Sequence, residues 1–327
     1  MSPRRSPHAS AVVRAAVAAG MLLALGLGGC SAAPASSGSG TSSTPQIVVT
    51  TNILGDVVSE IVGDSAEVTT LMQPNADPHS FEISAQQAAA MDRADLLVSN
   101  GLGLEEGLQR HLDRVAHAGG AHFIAGDYVA VLEYAADDAA GIAATPTPDP
   151  HFWTDPQQMI AVAAALTSTL TQLPGFDATE RDAVAGRGRA FETTLTTLDG
   201  FVEGELASIP PARRALVTNH HVFGYFAERY DFRVLGTAVP GGTTLAAPSA
   251  ADLSALVTTI TEAGVPTIFA ESSSPDRLMR VLADEAGLDV RVTALFTESL
   301  SELGGGAASY VEMIRTNTER IVTGLTS

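Results

Sequence analysis

Short β-branched segments alternate with helical segments from residue 46 onward. The predicted strands of the first half are residues 46–51, 66–72, 95–100 and 122–124. Those of the second half are residues 215–218, 233–237, 267–270 and 291–295. Segments between them place apolar residues at helical spacing. Because strands that alternate with helices favour parallel sheets covered by helices on both faces, the sequence predicts an α/β fold.

One long helical segment lies midway along this alternation. Residues 178–209 contain no proline, and Pro210 and Pro211 follow them directly. At 1.5 Å per residue, an unbroken helix of this length would extend about 45 Å, which makes it a natural bridge between two domains. We therefore expect a linking helix over residues 176–210. It would join an N-terminal lobe (46–175) to a C-terminal lobe (211–327), each with a mainly parallel sheet flanked by helices.

The first 45 residues have the composition of an export signal followed by a tether. A basic stretch precedes an apolar run over residues 15–29, which is too short for a bilayer that needs about 20 residues. The run ends in Leu-Gly-Gly before Cys30 and so resembles the bacterial lipobox, the alternative being a stray cysteine near an ordinary cleavage site. We expect a signal peptide (1–29), a lipidated Cys30 and a flexible tether (30–45) rich in Ser, Gly, Ala and Pro. This arrangement predicts a protein anchored by lipid to the extracytoplasmic face of the cell membrane.

Composition excludes several classes of function. The formal net charge of −19 argues against nucleic acid as a partner, because a phosphate backbone needs a cationic surface. All 18 basic residues are arginine, which excludes a Schiff-base lysine and a Walker-type phosphate lysine. The single cysteine excludes a disulfide within the chain and any multi-cysteine metal site. A bound metal would therefore use imidazole, carboxylate or carbonyl ligands.

Four polar residues stand next to predicted strand or helix ends, two in each half. His79 follows a strand and precedes a helix, and His151 precedes a helix. His220 and Glu298 each follow a strand of the second half. Ligands of open parallel sheets bind beyond the carboxyl ends of the strands, so a cleft between two lobes could collect all four. Three imidazoles and one carboxylate suit a tetrahedral Zn²⁺ site.

Two alternatives to this ligand set remain open from the residues alone. His221 competes with His220, because neighbouring residues leave a strand in different directions and we expect only one to face the cleft. Glu271 follows the strand 267–270 and competes with Glu298, although it could instead bond the serines at 272–274. The other histidines are interpreted as removed with the signal, exposed or structural, namely His8, His111, His117 and His122.

Seven segments carry a more specific signal through their order and spacing. They are ADPHSFE (76–82), NGLGLEEGLQ (100–109), DPHFWTDP (149–156), HHVFGYFAERY (220–230), APSAADLSAL (247–256), AESSSPDR (270–277) and LFTESL (295–300). With them, the chain from about residue 46 to 325 resembles the solute-binding proteins of zinc and manganese ABC transporters. The resemblance implies two α/β lobes joined by one long helix. By matching motif it places the metal ligands on His79, His151, His220 and Glu298, and so selects His220 over His221.

The chain departs from the family pattern in two places. The fourth ligand is usually aspartate, and the extra methylene of Glu298 moves the carboxylate by more than an ångström, which leaves open whether it binds through one oxygen or two. Many zinc-type members carry a loop rich in histidine and acidic residues before the second ligand. The corresponding residues 134–148 contain no histidine.

The resemblance implies a binding protein and not an enzyme. Its expected role is to capture a divalent metal ion and deliver it to an ABC permease in the membrane. Zn²⁺ is favoured over Mn²⁺ because manganese prefers more oxygen donors, and because manganese members of the family often carry glutamate at the position of His220. The alternatives are a manganese-specific protein of the same type, a zinc-dependent hydrolase with Glu298 as general base, an organic-solute binder and an adhesin.

Overall fold

The computed structural model of the chain describes residues 44–134, 147–239, 241–286 and 290–326. The predicted signal peptide (1–29), Cys30 and the tether up to residue 43 lie outside these ranges. The same holds for residues 135–146 of the loop predicted ahead of His151. Within the described ranges, every helix is too short or too polar to span a bilayer.

The first half contains a four-stranded parallel sheet. Its strands are β1 (Gln46–Val49), β2 (Glu67–Thr70), β3 (Leu96–Ser99) and β4 (His122–Ile124), in the order β2-β1-β3-β4. Its helices are α1 (Asn52–Val62), α2 (Ala85–Met91) and α3 (Gln109–His117). Ser84 is the N-cap of α2, since its hydroxyl accepts a hydrogen bond from the backbone N of Gln87 at 3.2 Å. All four strands end at one edge of the sheet, and the turn that carries His79 follows β2.

A short hairpin and two helices lead out of the first half. Strands β5 (Glu133–Tyr134) and β6 (Thr147–Pro148) form an antiparallel pair that the sequence did not predict. Helix α4 (Pro156–Leu170) begins after Asp155, whose carboxylate accepts a hydrogen bond from Gln157 N at 2.8 Å. The 29-residue helix α5 (Ala178–Leu206) lies within the predicted linking helix, although it begins two residues later and ends four residues earlier than the predicted range 176–210.

Helix α5 packs closely against the rest of the molecule. It lies on α1 and α4 and, in addition, on the last helix of the chain, α9 (Tyr310–Thr326). Gly188 permits the approach to α4, because a Cβ at this position would come within 2.3 Å of Thr167 Oγ1. The helix therefore contacts both halves along its length.

The second half repeats the alternation of strands and helices. Strands β7 (Ala215–Thr218) and β8 (Arg233–Thr237) form one parallel pair, β9 (Thr267–Glu271) and β10 (Arg291–Leu295) form another, and β7 lies beside β9. The helices are α6 (Gly224–Tyr230), α7 (Ala250–Ala263), α8 (Arg277–Glu285) and α9. The predicted α/β class is confirmed.

The largest apolar cluster joins the two halves. It contains Leu54 of α1, Leu195 of α5, Phe269 of β9 and Ile321 of α9, all of them buried. A wide separation of the halves would expose such side chains to water at about 25 cal/mol per Å² of apolar surface. We therefore expect movements at the cleft to take place mainly in loops.

Candidate metal centre

The four predicted ligand residues converge on one point between the halves. The Nε2 atoms of His79, His151 and His220 lie 2.9, 3.2 and 3.0 Å from Glu298 Oε1. Each of the four side chains has at most 1% of its surface exposed. In the part of the chain that the structure describes, this is the one group of three or more His, Cys, Asp or Glu donors with metal-binding geometry.

The spacing of these donor atoms fits a small divalent ion. The Nε2 atoms of His79 and His151 are 3.4 Å apart, and all four donor atoms lie within 4.8 Å of one another. A tetrahedral Zn²⁺ with bonds of 2.0–2.1 Å would hold its ligand atoms about 3.3 Å apart. The donor set could therefore close around zinc with little movement.

Two separate turns of the same kind present the imidazoles of His79 and His151. His79 and His151 each follow an Asp-Pro pair, and in both cases the aspartate accepts a hydrogen bond from the histidine backbone N. The distances are 2.8 Å from His79 N to Asp77 Oδ1 and 2.9 Å from His151 N to Asp149 Oδ1. This local bond shapes the turn and directs the imidazole, a common use of aspartate in tight turns. The repeated Asp-Pro-His triplet is the sequence signal that would have identified Asp77 and Asp149 as well.

The structure separates both pairs of rival residues. His220 follows β7 and joins the cluster, whereas His221 does not. Glu271 also stays outside the cluster, at the end of β9. Its Oε1 accepts hydrogen bonds from Ser273 Oγ at 3.0 Å and Thr297 Oγ1 at 2.9 Å. Glu271 thus bonds one of the serines that follow it, in agreement with the alternative interpretation of this residue.

Residues of the first half hold the segment that carries Glu298. Trp153 Nε1 donates to the carbonyl of Thr297 at 2.7 Å. Asn52, at the start of α1, receives a hydrogen bond from Leu300 N at 2.9 Å and donates one to Ser299 Oγ at 2.8 Å. The carboxylate ligand thus belongs to the second half of the sequence, but the residues before and after it are hydrogen-bonded to the first half.

A carboxylate stands behind each imidazole, on the side away from the cluster. Asp149 Oδ1 lies 2.8 Å from Nδ1 of His151, so this pair is hydrogen-bonded. Glu271 Oε2 lies 3.6 Å from Nδ1 of His220, and Glu106 Oε1 lies 3.6 Å from Nδ1 of His79. Such carboxylates orient a metal-binding imidazole and increase its basicity.

The ionisable groups of the cluster influence one another strongly. Burial lowers the pKa of His220, but the Glu298 carboxylate outweighs burial and raises this pKa to about 9. The pKa of His151 is also raised, because hydrogen bonds to Asp149 and Glu298 overcome the effect of burial. Burial opposes the ionisation of Glu298, yet the imidazoles, led by His220, hold its pKa well below the usual value. Burial and then the Glu298 carboxylate raise the pKa of Glu271 well above its usual value.

A donor cluster of this kind, buried between two α/β halves that a long helix connects, defines the class of metal solute-binding proteins. Comparisons with known proteins agree. The family described as zinc-uptake complex component A periplasmic, ZnuA, matches residues 47–324, and the chain belongs to this family. The family consists of solute-binding proteins of metal ABC transporters, which confirms both the resemblance and the prediction that the chain is not an enzyme.

Individual relatives cover nearly the whole chain. The structure of the periplasmic zinc-binding protein TroA of Treponema pallidum superposes with a TM-score of 0.78 at 27% identity, covering 87% of this chain and 100% of TroA. The manganese-binding lipoprotein MntA of Halalkalibacterium halodurans is 26% identical over 93% of this chain and 96% of its own length. The manganese ABC transporter substrate-binding lipoprotein PsaA of Streptococcus pneumoniae is 27% identical over 93% of this chain and 95% of its own.

Proposed function

We propose that the chain is an extracytoplasmic, lipid-anchored solute-binding protein that captures Zn²⁺ and delivers it to an ABC permease. In this proposal His79, His151, His220 and Glu298 are the metal ligands. The observation that carries it is the convergence of three Nε2 atoms on Glu298 Oε1 at 2.9–3.2 Å. Family membership supports the transport role, and the names of MntA and PsaA support the lipid anchor.

The donor set favours zinc. Three imidazoles and one carboxylate are typical of tetrahedral Zn²⁺, whereas Mn²⁺ prefers a larger number of oxygen donors. Manganese is the second candidate, because MntA and PsaA are named for it. It has further support from Glu298 Oε2, which has no hydrogen-bond partner among the described residues and so could serve as an additional oxygen donor.

Capture replaces protons with a metal ion. The pKa of His220, raised to about 9, means that this imidazole carries a proton at neutral pH before the metal binds, and the ion must displace it. Once Nε2 binds the metal, the remaining proton of His151 stays on Nδ1 and is donated to Asp149. Complete burial then excludes water from the ligands and slows exchange of the ion.

The proposed organisation follows the predicted boundaries. Residues 1–29 form the signal peptide, and Cys30 with the tether to residue 45 holds the protein at the membrane. Residues 46–175 and 211–327 form the two metal-binding lobes on either side of the linking segment 176–210. Replacing Cys30 with serine should release the protein from the membrane fraction and abolish its labelling with a fatty-acid analogue, and retention with full labelling would contradict the anchor.

A metal titration with ligand variants tests the proposed function. After chelator treatment, the purified chain should bind one Zn²⁺ per chain in calorimetry, and more tightly than Mn²⁺. His79→Ala, His151→Ala and His220→Ala should each lose more affinity than the roughly 10–100-fold typical of changes behind a ligand. The matched control is His221→Ala, which should bind nearly normally. Equal losses at His220 and His221 would overturn the ligand assignment.

A further inference from the structure

A loop of the second half reaches across the cleft to the turn that carries His79. The loop comprises residues 241–248, and two adjacent threonines make the contact. Thr243 Oγ1 donates to Glu106 Oε1 at 2.8 Å, and Thr244 Oγ1 donates to Asp77 Oδ2 at 2.6 Å. Among the described residues, these are the hydrogen bonds that join the 241–248 loop to the first half.

Both acceptors of these bonds also support His79. Asp77 accepts a hydrogen bond from the backbone N of His79 through its other oxygen, Oδ1, at 2.8 Å. The Oε1 atom of Glu106 that receives Thr243 is the same atom that lies 3.6 Å from His79 Nδ1. The loop is therefore linked to one ligand histidine through two carboxylates, Asp77 at its backbone and Glu106 near its imidazole.

His79 is held less firmly than His151. Nδ1 of His151 is paired with Asp149, a buried carboxylate, at 2.8 Å. Nδ1 of His79 is buried and has no hydrogen-bond partner in the described part of the chain. The carboxylate that faces it, Glu106, is 44% exposed and can turn toward water. Burying an imidazole N–H without an acceptor is unfavourable, so closure of the 3.6 Å gap would stabilise the metal-bound site.

The Glu298 side of the site is held differently. Asn52 and Trp153 fix the segment around Glu298 through hydrogen bonds that involve its backbone. The 241–248 loop, in contrast, holds the first half through two hydroxyl groups that are only partly buried. A rearrangement that opens the site would therefore break the loop contacts before it broke those of Glu298.

We propose that Glu106 is the positioning residue for His79, and that the 241–248 loop controls the rate of metal release through Glu106 and Asp77. This inference rests on the proposed function. With a metal ion on Nε2, the proton of His79 resides on Nδ1 and is donated to Glu106. Thr243 keeps Glu106 directed at the imidazole. A partner that displaces the loop frees both carboxylates, loosens His79 and releases the ion without separating the halves.

The test measures zinc release from the full, zinc-loaded chain in detergent after mixing with excess EDTA. Trp153 is the only tryptophan, and its ring centroid lies 5.2 Å from that of His151, so its fluorescence reports the occupancy of the site. Thr243→Val and Thr244→Val should each speed release about fivefold to tenfold, and the double variant should exceed either. Thr243→Ser and Thr244→Ser keep the hydroxyl group and are the matched controls, with release rates close to wild type.

A double-mutant cycle tests the route through Glu106. Glu106→Ala should weaken zinc binding about tenfold. If Thr243 acts through this carboxylate, Thr243→Val should add almost nothing in the Glu106→Ala background, a coupling that a merely structural role would not produce. The inference would be overturned if the double threonine variant released zinc at the wild-type rate, or if the serine variants released it as fast as the valine variants. Fully additive effects of Thr243→Val and Glu106→Ala would also overturn it. Failure of the wild-type chain to bind zinc would instead end the proposed function.

Discussion

The pH dependence of zinc affinity follows from the charges of the metal-free site. The pKa of His220 is raised to about 9, mainly by the Glu298 carboxylate acting against burial. At about pH 7 the protonated form of this imidazole therefore outnumbers the neutral form by about 100 to 1. Displacing the proton costs about 2.7 kcal/mol of binding free energy. Raising the pH removes this proton beforehand. Zinc affinity should accordingly rise about tenfold per pH unit from pH 7 toward pH 9, and then level off.

Calorimetry at several pH values measures this slope. Experiments in two buffers with different ionisation enthalpies also count the protons released, which should be at least one per zinc near pH 7.5. An imidazole with the ordinary pKa of about 6.5 would give almost no slope above pH 7. Burial lowers the pKa of His221, so His221→Ala should retain the wild-type slope and serves as the control. Equal affinities at about pH 7 and pH 8.5 would refute the assignment of His220 as a protonated ligand.

Two further predictions concern stability without metal. Asp199 of α5 accepts hydrogen bonds from Arg229 at 2.6 Å and Tyr230 at 2.8 Å. Asp199→Ala should therefore lower the free energy of unfolding, measured in urea, by about 3 kcal/mol. A loss below about 0.5 kcal/mol would contradict this prediction. Asp56 accepts a hydrogen bond from Tyr310 N, and burial raises its pKa to about 6, so the folded state binds this proton more tightly than the unfolded state. As the pH rises from about 4 to 6, the free energy of unfolding of the wild type should therefore fall by up to about 3 kcal/mol relative to that of Asp56→Asn. Parallel curves of unfolding free energy against pH for the two proteins would exclude this.

Much of the site could be predicted because its residues stand where secondary structure changes. His79, His151 and His220 each lie in a connection that follows a strand or precedes a helix, and parallel strands bring such connections to one edge. Glu298 needed the family resemblance, since Glu271 occupies an equivalent place after a strand and is equally buried. The two glutamates differ in direction, because Glu271 turns toward Ser273 and Thr297, and direction is a property of tertiary packing.

The residues that support the ligands were harder to predict. Asp149 and Asp77 lie within motifs that the sequence showed, but their role depends on backbone geometry in the turn. The bond from Thr243 to Glu106 joins residues 137 positions apart, and although Glu106 lies in the motif at 100–109, no local pattern marks Thr243 as its partner. The short β5–β6 pair was likewise missed, because pairing of two-residue strands depends on contacts that local composition does not encode. Lipidation at Cys30 remains a prediction from sequence alone.

In the proposed site, three imidazoles and one carboxylate bind a single metal ion. Zinc K-edge X-ray absorption on the zinc-loaded chain measures this coordination directly. The spectrum should show four donors at about 2.0–2.2 Å, with scattering from three imidazole rings. Fewer than three imidazoles, or a six-coordinate shell made only of oxygen, would contradict this ligand assignment.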